Sequence, residues 1–430
     1  MKTRIILSSK QLRMILFIFL YRCALDIVYC SYVSKIFGYT GLRYVFGYLR
    51  LFISWILLLF IIPAIVKLTE RSRYSDVITL FLIYLAYIPY TAMAGFFPYS
   101  YHFIAANTVY WMTLLLFILH FPSTQHKYLI KTKNNDLVLT IIEGVFAIVI
   151  LYISWRYTGF RFTISLSDVY SFREEAKNSS IPILLRYLFA ASKAVNPVLL
   201  AYSLYRKKIV NATLIILIQI LSFSFNGSKA VLFSTLLAVL LFFFYSESQL
   251  KKLPMYLTAL CVSAGLEREL FNTIFLMSYF VRRVLFLPNL LNSYYYDFFT
   301  QNTPDFFRQS FLRLLGFDSP YPDIDHMIGD VYFNKSAMGA NNGLISDAIT
   351  NMGYVGVVIM PIILSLFLRF MDSFAFGIKK RIYISTAITS SFILISSFLP
   401  TALLTHGLLA LGLVLAVIPR EEEKGHEIKI

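Results

Sequence analysis

Apolar runs of about 20 residues follow one another along most of this chain, and no other feature limits its fold as much. They lie near 13–33, 44–66, 76–96, 103–121, 137–157, 182–204, 209–225, 229–245, 253–266, 343–368, 382–399 and 401–418. In hydrocarbon every backbone N–H and C=O must be satisfied within the protein, which leaves helices or closed barrels. The runs are continuous and do not alternate in short segments, which excludes the barrel. The chain therefore reads as an all-α polytopic membrane protein, one integral domain over residues 1–430 with about twelve transmembrane helices. Composition agrees: 58% of the residues are hydrophobic and 14% charged, where a soluble domain carries about a quarter charged.

The net charge of +16 invites a nucleic-acid partner, but its distribution argues against one. The basic residues sit in short clusters between apolar runs: Lys67/Arg71/Arg73, Lys127/Lys131/Lys133, Arg206/Lys207/Lys208, Lys251/Lys252 and Lys379/Lys380/Arg381. All fall on one side of the expected topology, together with both termini, and that side is the cytoplasm by the positive-inside rule. Lys2, Arg4, Lys10 and Arg13 precede the first run like a signal peptide. That run contains Arg22 and Asp26 and ends without a small-residue cleavage site, so an uncleaved first helix is expected. Cys23, Cys30 and Cys261 lie within apolar runs, lack metal-ligand spacing and read as small hydrophobes.

One long segment, 267–342, is too polar for a bilayer and faces outward in this topology. It holds Arg282, Arg283, Arg308 and Arg313, the tyrosines Tyr294, Tyr295 and Tyr296, and most of the turn residues. Its apolar start, Leu270–Leu287, is expected along the outer interface, and Thr303-Pro304 reads as the cap and first position of a short amphipathic helix. A smaller outer loop, 158–180, carries Arg161, Asp168, Tyr170, Arg173, Glu174 and Glu175. A membrane protein that gathers its polar groups in this way works where they are gathered.

Charges inside the apolar runs each need a reason. Arg22 and Asp26, four apart, share a helix face and neutralise each other. Arg186 and Lys193, seven apart, line one face of the sixth span; a salt bridge to Glu143 and a path for an anionic substrate explain them equally well. Lys229 follows a tight turn at Asn226-Gly-Ser, where a snorkelling lysine and an anion ligand are equally fitting. No P-loop, dinucleotide fingerprint, zincin motif or paired Cys/His set occurs. Asp323-Ile-Asp325 looks like a metal-holding D-x-D, but on an outer face it would meet no nucleotide sugar, so neither metal nor cofactor is expected.

At Arg283-Val-Leu-Phe-Leu-Pro288 and Tyr294-Tyr-Tyr-Asp-Phe-Phe299 the chain resembles the Wzy-type polymerases of O-antigen and capsular repeat units. The resemblance continues through Ser310-Phe311, Ile328-Gly-Asp-Val-Tyr-Phe333 and Asn341-Asn-Gly-Leu-Ile-Ser-Asp347 to Gly353-Tyr-Val-Gly356. Tyr170-Ser-Phe-Arg173 and Asn226-Gly-Ser-Lys229 match upstream. The R-x10-G arginine motifs described for some members do not appear around Arg161, Arg173 or Arg282.

The resemblance implies a GT-C-like, metal-independent glycosyltransferase at the outer face of the cytoplasmic membrane. It would move a growing chain from undecaprenyl diphosphate onto the sugar of a new lipid-linked unit, with a flippase and a chain-length regulator as partners beside the membrane lipids. Diphosphate binding falls to Arg283 and Arg282, Arg173, Lys229, Arg186 and Lys193, since a planar guanidinium grips phosphate oxygens in pairs. Arg283, five before Pro288, is the arginine that stands in the motif. Asp297, Asp330 and Asp347 are candidates for the base that activates the acceptor hydroxyl. Tyr294, Tyr295, Tyr332, Asn341 and Asn342 are candidate sugar contacts. A lipid-linked-sugar flippase or other secondary transporter is the rival from another class, and an O-antigen ligase the rival within the same class.

Overall fold

A computed structural model describes residues 8–122, 130, 134–164 and 168–420. Lys2, Arg4, Lys127, Lys131 and Lys133 lie outside the described residues, as do the side chains of Tyr170 and Glu174. Every secondary-structure element among the described residues is helical. Among the described residues nine helices are long and apolar enough to cross a membrane, which makes this a membrane-embedded chain. Three more, Lys229–Phe244, Leu253–Phe271 and Lys380–Ser396, stand where the remaining spans were expected but fall short in length or apolarity.

The described chain divides into two compact units. The first, residues 1–121, 246–367 and 394–399, is built around the segment Tyr74–Phe96, which is buried throughout its most apolar window. Pro89 removes one backbone donor and crowds the carbonyl four residues earlier. The chain answers with a wider π turn over Ile83–Tyr87. The carbonyls this leaves are met from neighbouring helices: Tyr21 Oη donates to Tyr84 O at 3.0 Å and Asn289 Nδ2 to Ala86 O at 3.1 Å. Tyr87 and Tyr90 donate outward in turn, to Leu57 O and Ile104 O.

In the first helix Arg22 is fully buried. Its Nε sits 2.8 Å from Asp26 Oδ1, its other nitrogens bond Ser54, and its guanidinium lies over Trp55. The i, i+4 pairing expected from sequence is present, and it draws in a second helix.

The stretch expected to start the outer loop is different from the expectation. After Leu253–Phe271 the chain re-enters helix as the π segment Met277–Phe286 and runs straight into Leu287–Gln301. Val281, Leu285, Leu290 and Tyr295 are fully buried, and these helices pack against the Tyr74–Phe96 segment. Within the expected segment 267–342, the irregular backbone begins near 302. No α-helix starts at Thr303-Pro304 either: Phe306 and Phe307 take positive φ, followed by a 3-10 turn at Phe311–Leu315. Side chains capture the backbone donors a helix would have used. Asp305 Oδ2 accepts from Gln309 N, and Asn351 Oδ1 from Phe307 N.

The apolar run after Asn342 is not one straight span. Its helix, Ile345–Ala375, breaks at Gly353 (φ 57°, ψ −144°), a backbone that residues with a Cβ avoid. Beyond the break Gly356 comes so close to Ala348 O that a Cβ would stand 2.1 Å from it. Asp347 shares a cavity wall with Met360 and Leu364. The arm 345–352 is thus folded back along the arm 354–375, which alone is about 33 Å long and able to span.

The second unit comprises residues 122–245, 368–393 and 400–430. Asn135–Thr158, Ile183–Tyr205 and Ile209–Asn226 pack on one another around Val149, Ile150, Ile153, Phe189, Ile218 and Phe225. The loop expected at 158–180 contains a short helix, Val169–Asn178, laid against Ile209–Asn226. Arg161 fastens it by bonding Glu175 at 2.8 Å and Ser224 O.

Candidate functional site

In the first unit Leu287–Gln301 meets the helix Ile324–Phe333. Tyr294 stacks on Tyr332 with ring centroids 4.3 Å apart and planes 10° apart. The Tyr332 hydroxyl donates to Asp297 Oδ2 at 2.7 Å. Burial, and then the Asp297 carboxylate beside it, pushes the Tyr332 phenol up from its ordinary value, so it stays a donor. Asp297 is exposed, its second oxygen facing only Gln301 at 3.3 Å, and it can take the proton of an approaching hydroxyl. Asp330 and Asn341 are also exposed, the former on the same helix as Tyr332.

Three of the sequence-derived candidates are walled in. Tyr295 is fully buried and spends its hydroxyl on Ala340 O. Asn342 is 2% exposed and ties Pro288 O, Asn292 Oδ1 and Ser346 Oγ together. Neither can touch a sugar in this conformation; both hold the base of the re-entrant arm. Asp347 is also buried, accepting from Asn351 Nδ2 at 2.7 Å and Leu399 N at 2.6 Å. A sugar hydroxyl cannot reach it.

The two adjacent arginines differ in freedom. Arg282 lies over the Phe37 ring, with its Nε buried and unpartnered. Arg283 is exposed and touches only the edge of this helix, its guanidinium 5.8 Å from the Tyr279 ring centre.

The second unit brings basic residues together. Arg173 from Val169–Asn178 and half-buried Lys193 from Ile183–Tyr205 lie within charge–charge range, and Lys193 in turn lies within range of the His406 imidazole, before Leu408–Val417. None of the three has a carboxylate partner among the described residues. Glu143, the sequence-derived partner for Lys193 and Arg186, instead accepts from Ser203 Oγ and Asn211 Nδ2. Arg186 is exposed and reaches only Ile181 O. Lys229 opens the helix Lys229–Phe244 and is half-buried. The expected salt bridge from Glu143 to Lys193 and Arg186 is thus not formed among the described residues. His406 was invisible in sequence because it stands 213 positions from Lys193, in an apolar run.

Asp323, Asp325 and His326, at the start of Ile324–Phe333, offer three ligand atoms within 4.8 Å of one another. Two carboxylates and one imidazole suit a divalent ion. They also share a proton: burial and the Asp323 carboxylate push Asp325 up to about 6, while its hydrogen bond holds Asp323 down. A carboxyl whose pKa is raised on folding stabilises most below its unfolded value of about 3.9 and loses that contribution as pH rises through about 6. Asp325→Asn keeps a donor without the charge. It should raise the melting temperature at pH 7 more than at pH 4 and flatten the slope between them, as read by thermal unfolding in detergent. An unchanged slope would show that the pair is not coupled.

No protein-family model, no curated protein and no solved structure matches this chain.

Proposed function

We propose that the chain is a membrane glycosyltransferase that polymerises polyprenyl-diphosphate-linked oligosaccharide repeat units at the outer face of the cytoplasmic membrane, with both termini inside. The observation that carries this reading is a set of basic side chains without a carboxylate partner among the described residues. Arg173 lies within charge range of Lys193, and Arg283 is exposed. Positive charge left unpaired in an apolar chain calls for an anion from outside, and a lipid diphosphate is one that lives in the membrane. Exposed Asp297 beside the Tyr294–Tyr332 stack supplies a base and a ring face suited to a sugar hydroxyl. The resemblance of the Arg283–Pro288, Tyr294–Phe299 and Asn341–Asp347 stretches points the same way.

A second reading, a transporter of lipid-linked sugars, draws on the helix broken at Gly353 beside the buried carboxylate of Asp347. Deleting the gene and resolving the surface glycan by gel separates the two. Single repeat units displayed without a ladder support the polymerase. Loss of all display supports the transporter, and a full polymer that stays on its lipid carrier supports a ligase.

A further inference from the structure

Asp347 is 2% exposed and sits in the first turn of the re-entrant arm. Its two oxygens accept one N–H each, from Asn351 and from the backbone of Leu399, and no lysine, arginine or histidine pairs with it among the described residues. Tyr110, from the helix Tyr101–His120, is also 2% exposed, and its hydroxyl makes no hydrogen bond among the described residues. A buried phenol without a partner is uncommon, because leaving its O–H unmade costs about 1–3 kcal/mol. Both side chains line one cavity, closed by Leu344, Met360, Leu364, Leu394, Ser397 and Leu399, with room for about one water molecule.

We propose that Asp347 and Tyr110 form a buried proton-binding site, with the space between them as the seat of the water that delivers the proton. A lone carboxylate in so apolar a wall is costly unless a cation neutralises it. A metal ion would need five or six oxygens; this wall offers one carboxylate, one phenol and Ser397. A proton needs no more than that. On uptake, water gives its proton to a carboxylate oxygen of Asp347 and leaves as hydroxide; on release, water carries the proton away as hydronium. Among the described residues Tyr295, on Leu287–Gln301, also lies within charge range, and its hydroxyl is committed to Ala340 O.

The tip of the arm that carries Asp347 is tied to the irregular polar segment. Thr350 O accepts from Asp305 N at 2.7 Å, Asn351 Oδ1 accepts from Phe307 N, and Pro304 packs on Gly353. Movement of residues 304–307 is thereby coupled to proton access at Asp347. The site stands whether the protein transfers sugars or moves them.

The test is infrared spectroscopy of the purified full-length chain in lipid vesicles, between about pH 5 and 9, where an ordinary carboxylate is ionised. The wild type should show the carbonyl stretch of a protonated carboxyl, moving in D2O and lost in Asp347→Asn. In Tyr110→Phe the band should shift to higher frequency as the carboxyl loses its hydroxyl neighbour. No band assignable to Asp347 at any pH in the range overturns the proton site. An unmoved band in Tyr110→Phe overturns the pairing. If Asp347→Asn does not elute as folded protein, the Tyr110→Phe minus wild-type difference spectrum decides alone.

Discussion

Arg283→Ala should lower polymerisation by about 100-fold while leaving the amount of protein in the membrane unchanged. Charge-assisted hydrogen bonds contribute about 1.5–3 kcal/mol each; losing a bidentate pair to a phosphate removes roughly 3 kcal/mol, or two factors of ten in rate. Arg283 is the arginine free to make that pair, being exposed and held only by a loose approach to Tyr279. Arg283→Lys should recover part of the activity, since an ammonium keeps the charge but loses the paired donors. Arg282→Ala should be milder in activity, because its guanidinium is already engaged with Phe37 and Ser278. Measured as ladder length in cells and transfer in vesicles, the reverse order would move the phosphate contact to Arg282. Normal ladders from both would leave the cluster of Arg173, Lys193 and His406 as the diphosphate site.

Gly356→Val should destabilise the protein strongly. Even a methyl group at this position would stand 2.1 Å from Ala348 O and 2.9 Å from Met352 Cβ. The backbone carbonyl cannot swing away without parting the two arms. Overpacking of this kind costs about 1–3 kcal/mol and more where backbone is the obstacle. The expected result is a clear fall in melting temperature, or loss of the monodisperse peak on size-exclusion chromatography. Tyr354→Ala, two residues away but 61% exposed, should leave both readouts near wild type. Equal stability of Gly356→Val would show that the arms do not pack as described.

The long helices were legible because their cause is local: a continuous apolar run needs no partner to be recognised. The Arg22–Asp26 pair was legible for the same reason, its spacing being one turn of one helix. What escaped depended on contacts between distant segments. The break at Gly353 lies inside a run whose apolarity continues through it, so the chain reads as a single span. What the sequence did not reveal about Met277–Gln301 is its burial: Arg282 and Arg283 lower its apolarity, while Leu285, Leu290 and Tyr295 turn inward. Thr303-Pro304 carried a sound local start signal, and Asp305 and Asn351 overruled it by taking the donors of the next turn. For the site, residue type and position picked Asp297, Arg283 and Lys193, but burial sets Tyr295, Asn342 and Asp347 apart, and burial belongs to the whole fold.

The completely enclosed Arg22 has a consequence for how this protein is made. Its side chain is neutralised by Asp26 from its own helix, but its remaining donors are met only by Ser54 and its flat face only by Trp55. A first helix released into lipid by itself would hold those donors in hydrocarbon, against an insertion penalty of at least ~2.5 kcal/mol. The ribosome has to deliver Tyr48–Arg71 before that penalty is relieved. Biogenesis therefore favours the pair leaving the translocation channel together, as one hairpin, with the arginine never bared to the acyl chains.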